Sequence, residues 1–160
     1  MTTEPTPAGL ADDQPLDTVD ALVQLSFLVQ RVLTAVGGEH DLSVIQIRLL
    51  GILRDRQAGM LELGGHLGLD KSSMTGLVAR AEKRGLVRRS PSPHDGRAVL
   101  VSLTPLGAEL TAGAADEIGR RVTALTAHLP PGEREVLTRL AGTLVSGSAH
   151  RSRGVTSPDS

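Results

Sequence analysis

The chain has 160 residues, 22% of them charged and 39% hydrophobic, with one Phe, no Trp, no Tyr and no Cys. That length suits one domain able to bury most of its apolar surface without disulfides. The missing aromatics exclude binders that stack single-stranded bases on aromatic rings, and aromatic cages for quaternary amines. The missing cysteines exclude a thiol nucleophile, a thiol redox switch and a thiolate zinc site, and fit a reducing cytoplasm.

The formal net charge of −1 conceals a segregation. Residues 1–20 carry Glu4, Asp12, Asp13, Asp17 and Asp20 and no Lys or Arg, a local −5. Residues 66–97 carry seven cations (Lys71, Arg80, Lys83, Arg84, Arg88, Arg89 and Arg97) against Asp70, Glu82 and Asp95, a local +4. Such a segment is either a solvated charged face or the footprint of a nucleic-acid site. The sequence shows no apolar run approaching the roughly 20 residues of a membrane span. The acidic N-terminus lacks the basic start of a secretory signal, so a cytoplasmic protein with no membrane partner is expected.

Residues 1–15, rich in Pro, Thr and Asp, are expected to be a disordered arm, and residues 147–160 a flexible tail. From Asp17 the pattern is helical: Val19, Leu22, Leu25, Phe27, Leu28, Val32, Leu33 and Val36 form one broad apolar stripe. Gly37-Gly38 is expected to stop that helix. Ser43 and Gln46 make an S-x-x-Q capping box for a second helix carrying Val44, Ile47, Leu50 and Leu53 and ending near Arg56. Residues 60–67 follow, with Leu61, Leu63 and Leu67 as buried candidates. Two interior glycines, Gly64 and Gly65, cost this segment about 1 kcal/mol each as a helix. Its neighbours nevertheless frame it as one, with Gly68 as C-terminal stop and Asp70 as the next N-cap.

In the helix after Asp70, Met74, Leu77, Val78 and Ala81 follow the i, i+3, i+4, i+7 spacing of a buried stripe. The other faces are small, polar or basic, as a helix lying in a DNA groove requires. Gly85 ends it, and residues 86–89 and 98–103 read as strands flanking a turn-rich tip at 90–96. Thr104-Pro105 caps a long helix with an apolar seam from Leu106 to Leu129. Pro130-Pro131-Gly132 breaks that helix before a last one carrying Val136, Leu137, Leu140, Leu144 and Val145. The expected fold is therefore mainly α (α+β), a winged helix-turn-helix.

The run from Leu67-Gly68-Leu69-Asp70 through Arg84-Gly85-Leu86-Val87-Arg88-Arg89, then Asp95-Gly96-Arg97 and Val101-Ser102-Leu103-Thr104, resembles the MarR family of bacterial transcription regulators. The correspondence extends over about residues 17–146. Its most specific parts are the Gly-Leu-Val-x-Arg exit of the third helix of the motif and the D-x-R before V-x-L-T at the wing. The resemblance implies a DNA-binding lobe at about 43–104 and dimerisation helices at about 17–37 and 105–146. It further implies a homodimer on a pseudo-palindromic operator in double-stranded DNA, with repression the expected outcome.

On the recognition helix, Ser72, Ser73, Thr75, Gly76 and Arg80 are the candidates for bases or phosphates, Thr75 also offering a methyl to thymine. Lys71, Lys83, Arg84, Arg88 and Arg89 are candidates for the DNA backbone. Arg97 lies at the wing, where a long planar cation can reach phosphates or a narrow minor groove, and Asp95 can hold its guanidinium in a bidentate pair; the alternative is a salt bridge that stabilises the wing without touching DNA. Many relatives have a basic residue where this chain has Gly96. The resemblance also implies a small-molecule effector between the dimer layer and the DNA-binding lobe, near Ser26, Phe27, Gln30, His40 and Arg48. A peroxide-sensing cysteine is missing. Glu39-His40-Asp41 lacks a partnering pair of histidines, so no metal and no other cofactor is expected. No G-x-S-x-G, H-E-x-x-H, P-loop or Rossmann glycine pattern points to an enzyme. The alternative is a winged-helix adaptor whose basic face binds an acidic protein.

Overall fold

The computed structural model describes residues 15–153. The arm expected over 1–15 lies outside them except for Pro15. The elements in chain order are α1 (Thr18–Glu39), α2 (Val44–Leu53), β1 (Ala58–Gly59), α3 (Met60–Leu67), α4 (Lys71–Lys83), β2 (Val87–Pro91), β3 (Val99–Leu103), α5 (Pro105–Leu125) and α6 (Pro131–Arg153). The fold is mainly helical with one small sheet, the winged helix-turn-helix read from the sequence.

α1 is capped by Asp17, whose side chain accepts from the Asp20 amide at 2.8 Å. Gly37-Gly38 does not stop it; the helix runs on to Glu39. Gly37 is needed for a close approach instead: a Cβ there would lie 2.4 Å from the Leu42 carbonyl oxygen. The reversal is made by Asp41, a non-glycine residue with φ 53°. α1 is also long and apolar enough, by length and composition, to cross a membrane, with a mean hydropathy of 1.5 over its best window. That corrects the expectation that no such run exists; the stripe is wide because α1 packs on α2 and α5 and still carries apolar residues outward. Val19 (68% exposed), Leu22 and Phe27 on α1 stand uncovered, as do Leu140 and Leu144 on α6.

Ser43 and Gln46 form the expected capping box of α2, with the Ser43 amide donating to Gln46 Oε1 at 2.8 Å. α2 stops at Leu53, three residues short of Arg56. Just beyond it lies a strand the sequence did not announce, β1, only two residues long. Its Ala58 pairs with Val101, giving a three-stranded antiparallel sheet in the order β1-β3-β2. The core of the lobe is built from Leu49, Leu63, Met74, Leu77 and Val101, with β3 contributing through the last of these.

α3 forms despite its two glycines. Gly64 is buried where α3 crosses the start of α4, and a Cβ there would meet the Leu69 carbonyl oxygen at 3.0 Å and Met74 Cγ at 3.3 Å. Leu63 and Leu67 are buried, but Leu61 is 92% exposed, against expectation. Leu61 is two residues from Leu63 and four from Gly65, on the outer side of a helix with 3.6 residues per turn. Gly68 turns the chain at φ 66°, and both its amide and that of Leu69 donate to the Gly64 carbonyl.

Thr104 caps α5 by accepting from the Gly107 amide at 3.0 Å, and its hydroxyl donates to the Gly85 carbonyl. Gly107 permits the start of α5 to lie against the backbone of Leu86, where a Cβ would fall 1.9 Å from the carbonyl oxygen. α5 ends at Leu125 instead of Leu129, and α6 continues to Arg153, through half of the stretch expected to be a flexible tail.

Candidate nucleic-acid interface

α4 begins where Asp70 accepts from the Ser73 amide at 2.7 Å. That hydrogen bond holds the Asp70 carboxyl below its ordinary pKa, so the cap is ionised at neutral pH. Met74, Leu77, Val78 and Ala81 are buried, as their spacing predicts. Their burial turns Lys71, Ser72, Ser73, Thr75, Arg80 and Lys83 to the exposed side, with Gly76 half-buried beside the Arg80 guanidinium. The Thr75 hydroxyl donates to the Lys71 carbonyl at 2.8 Å. The methyl is then the unengaged part of that side chain.

The seven cations of the basic segment divide into two groups. Lys71, Arg80, Lys83 and Arg97 have side chains with no hydrogen-bond or carboxylate partner among the described residues, and all four are exposed. The other three are engaged. Arg84 donates Nη1 to the Asp41 carbonyl at 2.6 Å and Nη2 to the His40 carbonyl at 2.9 Å. Arg89 donates Nε and Nη2 to Glu82 Oε2 at 3.0 and 2.6 Å. Arg88 donates only Nε, to the hydroxyl of its cross-strand neighbour Ser102 at 3.3 Å. Arg84 and Arg89, expected at the DNA backbone, are thus engaged within the chain. A chain-order reading counts charges but does not see the carbonyls and carboxylate that the fold brings to them.

Glu82, not a candidate in the sequence, is the partner of Arg89. The available signal was its place as the one acid between Arg80 and Arg89. The hydrogen bond from Arg89 holds its carboxyl below the ordinary glutamate value, and it cancels Arg89 while tying α4 to β2.

The wing is closed by its own backbone. Ser92 donates to the Ala98 carbonyl at 2.8 Å and Ala98 to the Asp95 carbonyl at 2.9 Å. Asp95 accepts from the Arg97 amide at 3.1 Å and not from its guanidinium. The bidentate pair is absent: Asp95 uses Oδ1 in a short Asx-type turn, and the Arg97 guanidinium has no partner among the described residues.

The five residues expected near an effector do not converge. Phe27 and Gln30 share a shallow groove of about 430 Å³ on the outer side of α1 with Arg31 and Thr34. The Ser26 hydroxyl is bonded to the Val23 carbonyl at 2.7 Å. His40 sits half-buried at the end of α1, and Arg48 donates to the His66 carbonyl at 3.4 Å, bracing α2 on α3. A larger groove, about 640 Å³, lies between α3 and α4, lined by Met60, Leu61, Leu69, Lys71, Met74 and Thr75. Among the described residues no group of three or more His, Asp or Glu is placed to hold a metal ion. Glu39, the first member of the acidic-histidine triplet, is paired with Arg121 at 2.6 Å.

A brace helix, a second helix with a basic and hydroxyl-bearing outer face, and a hairpin tipped by a free arginine define a winged helix-turn-helix DNA-binding protein. The family model described as MarR family matches residues 40–98, which hold α2, α3, α4 and β2 and end just before β3. The HTH-type transcriptional regulator YhbI of Bacillus subtilis is 30% identical over 145 residues, 89% of this chain and 91% of its own length. The HTH-type transcriptional repressor NicR of Pseudomonas putida is 34% identical over 113 residues, 68% of this chain and 71% of its own. A mutant of MarR from E. coli, solved in complex with operator DNA, superposes with a TM-score of 0.65 at 26% identity, over 78% of this chain and 90% of that one. The chain belongs to the MarR family. It is a DNA-binding transcription regulator of that family.

Proposed function

We propose that a homodimer of this chain binds a pseudo-palindromic operator, each α4 in a major groove and each wing against the flanking backbone, and that it represses the adjoining promoter. The observation that carries this reading is the set of four cations on α4 and the wing, Lys71, Arg80, Lys83 and Arg97, that have no partner among the described residues. The one acid between Arg80 and Arg89, Glu82, is already neutralised by Arg89. Exposed cations with no ion pair to break release counterions when they meet phosphates. Ser72, Ser73, Thr75 and Gly76 lie among them where base edges are read, Thr75 through its methyl and Gly76 by allowing close approach. Arg88 keeps both Nη groups for phosphate, and Asp95 shapes the turn that presents Arg97.

Repression follows from economy: a dimer occupying a promoter blocks it with no further contact surface. The exposed apolar residues of α1 and α6 supply the faces that join two protomers. The domain is proposed to span residues 16–146, and the protein to work in the cytoplasm, where its DNA is. A small-molecule effector is proposed to shift the dimer between DNA-compatible and incompatible arrangements. With Phe27 the one aromatic side chain, aliphatic walls and a few polar groups would hold it.

The test is an electrophoretic mobility shift with DNA from beside the protein's own gene. A saturable shift at low salt that survives excess random duplex supports the reading. No shift with any palindromic upstream fragment overturns it.

A further inference from the structure

The end of α1 receives one arginine from each side of the protomer. Arg121 of α5 donates Nη2 to Glu39 Oε1 at 2.6 Å. Arg84, the C-cap of α4, donates to the carbonyls of the next two residues, His40 and Asp41, at 2.9 and 2.6 Å. The connector they grip is itself held. The Leu42 amide donates to the Gly37 carbonyl at 2.8 Å, Asp41 takes a left-handed φ of 53°, and Gly37 lies against the Leu42 carbonyl closer than any Cβ allows. The accepting oxygens belong to the C-cap of α1, His40, and to the residue after it, Asp41. A planar guanidinium donating two parallel bonds there fixes direction as well as distance.

We propose that Arg84 is a positioning residue and not a phosphate contact: it locks the C-terminal end of α4 to the C-terminal end of α1, and so sets the separation of the two α4 helices in the dimer. The proposal rests on α4 being the groove-reading helix. Glu39 and Arg121 complete the path, so that the connector at residues 39–41 ties the dimer layer to the recognition helix. A change in the outer helices reaches α4 through two arginines instead of through the packed core alone.

The absence of cysteine permits a direct measurement. Ala79→Cys places one nitroxide per protomer on the exposed side of α4, and pulsed dipolar resonance reads the distance between the two labels. The expected result is a narrow distribution that becomes broad when Arg84→Ala is added. In unlabelled protein with Ala79 retained, Arg84→Ala is expected to lower affinity for a two-half-site operator about tenfold, the scale of losing charge-assisted hydrogen bonds. Affinity for random duplex and the dependence of binding on salt are expected to stay as in the parent. An unchanged distance distribution overturns the proposal. A salt slope smaller by about one, with operator and random DNA weakened alike, also overturns it, because that marks a lost phosphate contact. If Arg84→Ala fails to fold, Arg84→Lys carries the same measurements, since a lysine lacks the planar fork. If the parent binds no duplex, the DNA-binding reading fails, while the distance measurement still judges the clamp.

Discussion

Arg89 Nη2 lies 2.6 Å from Glu82 Oε2, joining the last turn of the recognition helix to the first wing strand. The pair ties α4 to β2, the two elements proposed to meet DNA together, and it engages the one acid between Arg80 and Arg89. The hydrogen bond from Arg89 depresses the folded-state pKa of Glu82 below its ordinary value. The stability this contributes is complete at neutral pH and is lost as pH falls from the ordinary glutamate value through the depressed one. Glu117, held down by its hydrogen bond from Arg121, follows the same course. Thermal melting from pH 7 into the acid range should therefore fall less steeply for Glu82→Gln than for the parent. Equal slopes would remove the pair from the account of acid stability.

Adjacent glycines in α3 should respond in opposite directions. A Cβ on Gly64 meets the Leu69 carbonyl and Met74 at the crossing with α4, whereas one on Gly65 meets nothing within 4 Å. Gly64→Ala should destabilise by about 1–3 kcal/mol through overpacking. Gly65→Ala should stabilise by about 0.5–1 kcal/mol through helix propensity. Urea unfolding of the two variants checks this, and the same sign for both would contradict the packing described.

The uncovered apolar residues of α1 and α6 should be the dimer's own. Leu22 is 47% exposed and Leu140 50% exposed in the single chain. Leu22→Glu or Leu140→Glu should shift sedimentation from dimer to monomer at micromolar concentration and abolish operator binding, while helical content persists. A dimer that survives both changes would place its interface elsewhere.

Arg97→Ala should weaken binding to operator and to random duplex by similar factors, and reduce the log–log salt slope by about one. Among the described residues the guanidinium has no partner whose loss would be structural. Unchanged affinity for both DNAs would refute the wing contact.

Local signals made most of the fold readable. The Ser43–Gln46 capping box, the Asp70 and Thr104 caps, and the Met74-Leu77-Val78-Ala81 stripe are each decided within a few residues, and each is found in place. What the sequence hid was set by contacts distant along the chain. Gly37 looks like a stop until the Leu42 carbonyl is seen against it, and Gly64 looks like a weakness until Met74 is. Strand β1 has two residues and exists because β3 has a free edge. In the candidate site, the basic segment was legible as charge, but not which cations were free. Arg84 finds its partners 43 and 44 residues away. Asp95 accepts from the Arg97 backbone amide and not from its guanidinium, a local outcome that composition cannot distinguish from a side-chain pair.

The central claim is that two copies of α4, held apart by the dimer layer, read one face of a duplex. Hydroxyl-radical footprinting on a bound fragment from beside the gene tests it most directly. The expected result is two protected patches on one face of the helix, related by a dyad and centred about 10 base pairs or a multiple apart. A single patch without symmetry, or no protection where binding saturates, would contradict it.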